Sequence, residues 1–231
     1  LNAFFVTSSG TGVGKTFVAA ALGYQLRRSG FDVRLLKPLI TGFDPKRFRN
    51  SDSAILLRSF GREPDLAAIA EISPFRFRAA LAPNMAAARE RTRVDFSQLL
   101  AFCRTSLAHA RKHKQMLLIE GVGGVMAPIT DAETNIDWIA ALALPVLLVE
   151  GSYLGSLSHS LTAIEVLRTS NARLRGAILV ESLASPVPLK ETAAFLQGRL
   201  KPLPVVAIPR VRRVRDPWRL APDLTWLVAD R

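Results

Sequence analysis

Gly14-Lys15-Thr16 closes the run SSGTGVGKT at residues 8–16, and these residue types suit a triphosphate. Glycines at 10, 12 and 14 allow the backbone to turn so that successive amide N–H groups face one anion. Lys15 would reach the β- and γ-phosphates, and Thr16 would offer its hydroxyl to a divalent cation. A phosphate loop usually also has a glycine five residues before Gly14, where this chain has Ser9. The apolar run AFFVT at 3–7 precedes the loop and a helical pattern follows it, which is the strand-loop-helix setting such a loop requires. Ser9 therefore points to a variant loop, not to a chance turn.

A phosphoryl-transfer site also needs a cation to neutralise the triphosphate. MLLIEGVGG (116–124) supplies an apolar strand ending in Glu120, followed by Gly121, Gly123 and Gly124. An acid at such a strand end suits a metal ligand, although a plain loop acid would look the same. Asp52, in RNSDS, opens a helix, and taken alone it reads as a helix cap. With Thr16, the two acids would make an oxygen-rich Mg²⁺ site. Lys37 ends the second strand in LLKPLITG. If that strand neighbours the first, Lys37 can stabilise charge developing between nucleotide and substrate. Thr41 follows as a possible hydrogen-bonding group. His109 and His113 share a helix face without a third metal ligand nearby, and His159 reads as a structural or interface residue. Cys103, the single cysteine, sits in an apolar helical pattern and reads as inert packing.

These residues must be held by an alternation of strands and helices. Continuous apolar runs at 3–7, 33–37, 116–120, 145–150, 176–180 and 204–208 read as strands buried on both faces. Helical patterns lie at about 14–29, 51–59, 95–113, 135–142, 156–169 and 189–199. Gly30 can stop the first helix and Asp95 can cap the third. Such alternation predicts an α/β fold with a doubly wound, mostly parallel sheet and helices on both faces, whose ligands sit at the carboxyl ends of the strands. The 231 residues fit one domain. Residues 61–94 are irregular and rich in Pro, Arg and Ala, and read as a substrate-side insertion with short helices.

The net charge of +12 could mark a polyanion partner. The excess is spread along the chain, with one cluster at Arg210, Arg212, Arg213, Arg215 and Arg219. No nucleic-acid motif accompanies it, so it reads as a basic solvated surface, with no nucleic-acid partner. No apolar run has the length of a membrane span and the start has no basic leader region. With one cysteine, these features lead to the expectation of a cytoplasmic protein without membrane contact.

Taken together, the motifs resemble dethiobiotin synthetases, ATPases of the variant P-loop class, in one order along most of the chain. FVTSSGTGVGKT is similar to the family's opening loop, LLKPLITG to its Lys-Pro-x-x-(Ser/Thr)-Gly segment, and RNSDS to its Asn-Ser-Asp turn. FRFRAALAPNMAA, IEGVGGVMAPIT and LPVLLVEGSYLGSLSH resemble three further segments. The resemblance implies a P-loop NTPase fold and the closure of 7,8-diaminopelargonic acid with CO₂ and MgATP to dethiobiotin. It implies Mg²⁺ on Thr16, Asp52 and Glu120, and catalytic roles for Lys15, Lys37 and Thr11. Nucleotide contacts are implied from Gly12, Val13, Gly14, Lys15, Thr16 and Phe17, from Asp52 and Glu120, and around the base from Val180, Glu181, Pro209, Arg210 and Val211. Substrate contacts are implied from Thr11, Lys37, Thr41, Gly121, Val122 and Gly123, with Tyr153 and Leu154 near the substrate tail at the interface of a homodimer.

Departures from the family pattern are Ser8-Ser9-Gly10 for the usual Gly-Thr-Asp, Gly12 for a frequent acid, Val180-Glu181 for Asn-Asp, Asn84 for His and Ser158 for Asn. A partitioning-type ATPase would carry a signature lysine where Gly10 stands. An amidoligase would need a glutaminase domain for which the chain has no room. A nucleotide-binding paralogue without turnover is the remaining alternative.

Overall fold

The computed structural model describes residues 2–211 and 214–228. The chain begins with β1 (Ala3–Ser8), α1 (Lys15–Arg28), β2 (Val33–Leu36), β3 (Leu39–Thr41), α2 (Asp52–Ser59) and α3 (Leu66–Ile72). It continues through β4 (Phe75–Phe77), α4 (Pro83–Arg89), α5 (Phe96–Lys112), β5 (Met116–Glu120) and α6 (Asn135–Leu142). It ends with β6 (Val146–Gly151), α7 (Ser156–Thr169), β7 (Leu174–Val180), α8 (Leu189–Leu200) and β8 (Val205–Ile208).

One six-stranded sheet has the order β2-β5-β1-β6-β7-β8, and every neighbouring pair is parallel. Helices cover both of its faces. β1, β5 and β6 are buried at every position, which explains their uninterrupted apolar runs. α1 lays Val18, Ala21, Leu22 and Leu26 against β1, β2 and β5. Each fully buried leucine contributes roughly 1.5–3 kcal/mol. α5 packs on β5 and against α6, and Phe5 of β1 meets Trp138 of α6 edge to face at 5.1 Å.

The sheet order carries a correction. β2 does not neighbour β1, because β5 lies between them. Strand pairing across more than eighty residues is a tertiary outcome that local pattern does not encode. The consequence for the site is useful: Glu120, at the end of β5, stands between Lys37 and the loop after β1. A second correction concerns 39–41 and 75–77. These short segments pair as a separate two-stranded parallel sheet, in addition to the short helices expected of the irregular region. Their three-residue length leaves no run to recognise.

The helix ends follow local chemistry. Asp95 caps α5 by accepting from Gln98 N–H at 2.9 Å. Gly30, at φ 87°, follows the end of α1. Ser51, not Asp52, caps α2, accepting from Ala54 N–H at 3.2 Å. That leaves the Asp52 carboxylate for other work. Arg212 and Arg213 of the basic cluster lie outside the described residues. Arg219 pairs with Asp216 at 3.1 Å and lies over the Tyr24 ring. No helix among the described residues is long and apolar enough to cross a membrane.

Candidate functional site

A cavity of about 760 Å³ opens at the carboxyl ends of β1, β2 and β5. Its walls include loop residues Gly10, Thr11, Gly12, Gly14, Lys15, Thr16 and Phe17, the charged trio Lys37, Asp52 and Glu120, and Thr41. Val122, Gly123 and Gly124 line the far side, and residues 80–83 close the rim.

The loop owes its shape to sequence. Gly14 has φ 109°, a left-handed conformation that L side chains rarely adopt, and a Cβ there would lie 3.1 Å from Val180. It caps α1 without a side-chain bond, so the first amides of that helix face the cavity unclaimed by any cap. Gly124 meets the loop closely: a Cβ there would sit 2.6 Å from the Ser9 carbonyl oxygen. Asn135, wholly buried at the start of α6, donates to the carbonyls of Val122 and Gly124 and fixes the glycine segment.

Lys15 is buried and donates to Ser8 Oγ at 2.8 Å and to the Gly10 carbonyl at 2.9 Å. Two of its three N–H donors are thus taken and one is left for a ligand. Burial, reinforced by Lys37, lowers its pKa to about 8. Ser8 also donates to the carbonyls of Gly10 and Gly123, so a serine in a position expected to hold glycine organises the loop from within.

Lys37 bridges the two acids. Its Nζ lies 2.6 Å from Asp52 Oδ2 and 2.6 Å from Glu120 Oε1. Burial alone would lower the Lys37 pKa, but Glu120 and Asp52 outweigh it and raise it to about 12. Burial likewise opposes ionisation of Asp52, yet the adjacent Lys37 and hydrogen bonding from Lys37 and Thr16 hold it below the usual carboxylate range. Burial pushes Glu120 upward despite Lys37. Thr16 Oγ1 donates to Glu120 Oε1 at 2.7 Å, and Glu120 Oε2 is buried with no hydrogen-bond partner. Thr16, Asp52 and the orphaned Glu120 oxygen are hard oxygen donors on one wall of the cavity. That set fits Mg²⁺, which takes one or two carboxylates and completes its shell with phosphate and water. Among the described residues there is no cluster of three or more His, Cys, Asp or Glu for a metal.

Comparison with known proteins decides the family. A family model described as an AAA domain matches residues 2–217. A protein from Methylobacterium nodulans named ATP-dependent dethiobiotin synthetase BioD is 43% identical over 91% of this chain and 94% of its own length. One of the same name from Caulobacter vibrioides is 43% identical over 91% of this chain and 93% of its own. The chain belongs to the ATP-dependent dethiobiotin synthetase family. That membership makes it an ATP-dependent ligase of biotin synthesis. In fold, it is similar to the MinC:MinD complex structure from Aquifex aeolicus, at TM-score 0.54 and 16% identity over 94% of this chain and 85% of that one.

The residues expected of a dethiobiotin synthetase do not all gather at the cavity. Thr11, Lys15, Thr16, Lys37, Thr41, Asp52, Glu120, Val122 and Gly123 line it together. Val13 is buried beneath the loop, and Gly121 packs against Phe5. Val180 touches the loop from the end of β7. Glu181 accepts from Arg210 N–H at 2.8 Å, tying 181 to the segment after β8 that also holds Pro209 and Val211, outside the cavity wall. Tyr153 and Leu154 lie away from the cavity, in the turn before α7. Tyr153 Oη hydrogen-bonds His159 Nδ1 at 2.8 Å, and Leu154 is 84% exposed. Asn84 donates to Asp131 at 2.9 Å.

Four residues carry roles that the sequence did not announce: Ser8, Ser9, Asn135 and Glu150. Glu150 had a usable signal, an acid ending the apolar run PVLLVE, just as Glu120 ends MLLIE. The serines had none: Ser9's partner lies on a distant strand, and Ser8 bonds within the folded loop and to the Gly123 carbonyl.

Proposed function

We propose that this protein forms dethiobiotin from 7,8-diaminopelargonic acid, CO₂ and ATP, releasing ADP and phosphate, with Mg²⁺ required. The observation that carries this reading is the Lys37 ammonium held between Asp52 and Glu120 beside the phosphate loop. Family membership supplies the substrates.

One substrate amine captures CO₂ as a carbamate, which attacks the γ-phosphorus and displaces ADP. The second amine then attacks the resulting carbamic-phosphoric anhydride, closing the ureido ring and expelling phosphate. The chain's part is positioning and charge. The loop amides and the free donor of Lys15 hold the β- and γ-phosphates. Lys37 spends two donors on Asp52 and Glu120, leaving one for the oxygen of the phosphoryl group in transit. Thr11 and Thr41 lie beside the carbamate, and the backbone of 121–123 lines the diamine. Thr16, Asp52 and Glu120 would hold Mg²⁺, which supplies neutralisation of the triphosphate charge. Val180, Glu181 and the 209–211 segment border the base. Tyr153 and Leu154 serve the substrate tail where a second copy of the chain completes the site.

The test is an assay with the diamine, bicarbonate and MgATP, with dethiobiotin measured by mass. The expected result is product that requires all three. Nucleotide hydrolysis indifferent to the diamine would leave a nucleotide-binding paralogue as the better description.

A further inference from the structure

Glu150 is the penultimate residue of β6, is wholly buried, and has no part in the mechanism above. Its Oε2 accepts a hydrogen bond from Ser9 Oγ, in the first limb of the phosphate loop. Its Oε1 is buried with no hydrogen-bond partner. The groups around it are mostly neutral. Val149 beside it pairs with Ser8 on β1, Glu150 itself pairs with Leu179 on β7, and Ser160 of α7 faces it with a buried hydroxyl that also lacks a good partner. Among the described residues, the charged group that acts on it is Lys15, from α1, and only at longer range.

A buried carboxylate without a bonded cation is costly, and protonation is the ordinary way out. Burial raises this carboxyl to about 7, against smaller opposing effects from Ser9, Ser160 and Lys15. A triphosphate in the loop adds negative charge next to the segment that Glu150 holds through Ser9, and draws on the field of Lys15. Both effects disfavour a second negative charge there.

We propose that Glu150 is a positioning residue that grips the phosphate loop through Ser9, and that ATP binding drives a proton onto it. The proton comes from solvent and settles on the unpartnered Oε1, where its O–H can turn to Ser160, while Ser9 continues to donate to Oε2. The inference rests on the loop being the ATP site. Linkage then fixes the sign: ATP affinity is full below the free-state value near 7 and falls as pH rises through it.

Calorimetric titration of the protein with MgATP, in two buffers of different protonation enthalpy at pH 7.5, counts the protons taken up. Wild type is expected to take up about half a proton more than Glu150→Gln. Its affinity is expected to drop about three- to tenfold more than the variant's between pH 6.5 and 8.5. Ser9→Ala is expected to raise KM for ATP about three- to tenfold, mainly in KM and not in kcat. Equal proton uptake and parallel pH profiles would overturn the proposal while ATP binding itself stands. Absence of ATP binding would overturn the proposed function and this inference with it. If Glu150→Gln fails to fold, infrared difference spectra of wild type with and without ATP decide: a gain in the protonated-carboxyl band supports the proposal, and no gain overturns it.

Discussion

The two ends of the nucleotide site proposed above are built differently. At the phosphate end, Lys15, Lys37, Glu120 and Glu150 are all buried, and three sets of hydrogen bonds tie β1 and its loop to β5, β6 and two helices. At the base end, Val180 offers only methyl groups and Glu181 spends one oxygen on a neighbouring backbone amide. Buried charge is costly unless it is paired, so the bonds made by Lys15, Lys37 and Glu120 restrict the geometry of the phosphate end. The base end has few directional groups and constrains its ligand weakly. On the proposed function, phosphoryl chemistry would be set by the densely bonded end, and base preference would be left to packing.

This contrast orders the expected effects of mutation. The largest belongs to Lys37→Gln, which removes the ammonium between Asp52 and Glu120 and should lower kcat by about 10²–10³-fold. Thermal unfolding should accompany the assay, because Glu120 loses its buried partner. Glu120→Gln should raise the Mg²⁺ concentration for half-maximal activity by about tenfold or more, read from activity against total Mg²⁺. Gly124→Ala drives a Cβ toward the Ser9 carbonyl, and should cost about 1–3 kcal/mol of stability in a denaturant melt, with weaker ATP binding. At the base end, Val180→Asn should shift the ratio of KM values for ATP, GTP and CTP by no more than about tenfold, leaving kcat little changed. A large kcat effect there would break the contrast. The smallest effect is expected at Cys103, far from both ends. Burial raises its thiol to about 12, so a thiol reagent at pH 8 should react only after denaturation.

The sequence was informative where function and pattern coincide. Lys15, Thr16, Lys37 and Glu120 end strands or begin helices, and the 3.6- and 2-residue periodicities locate such boundaries. All six strands of the main sheet were visible as apolar runs, most plainly β1, β5 and β6, which are buried at every position. The order of those strands was not visible, and with it the reason Lys37 meets Glu120: β5 joins β1 and β2 through pairings distant in sequence. Asp52 was ambiguous between helix cap and metal ligand, and the geometry, with Ser51 as the cap, frees its carboxylate. Ser9 looked like a flaw in the loop by itself. Its partner Glu150 lies 141 positions away, and the pair makes sense only in three dimensions.

The most direct measurement follows labelled bicarbonate into acid-stable product alongside ADP release, with wild type and Lys37→Gln in parallel. The account predicts one ADP released for each dethiobiotin formed, no ADP without the diamine, and loss of both signals together in the variant. ADP release that continues without the diamine, or survives in Lys37→Gln, would contradict it.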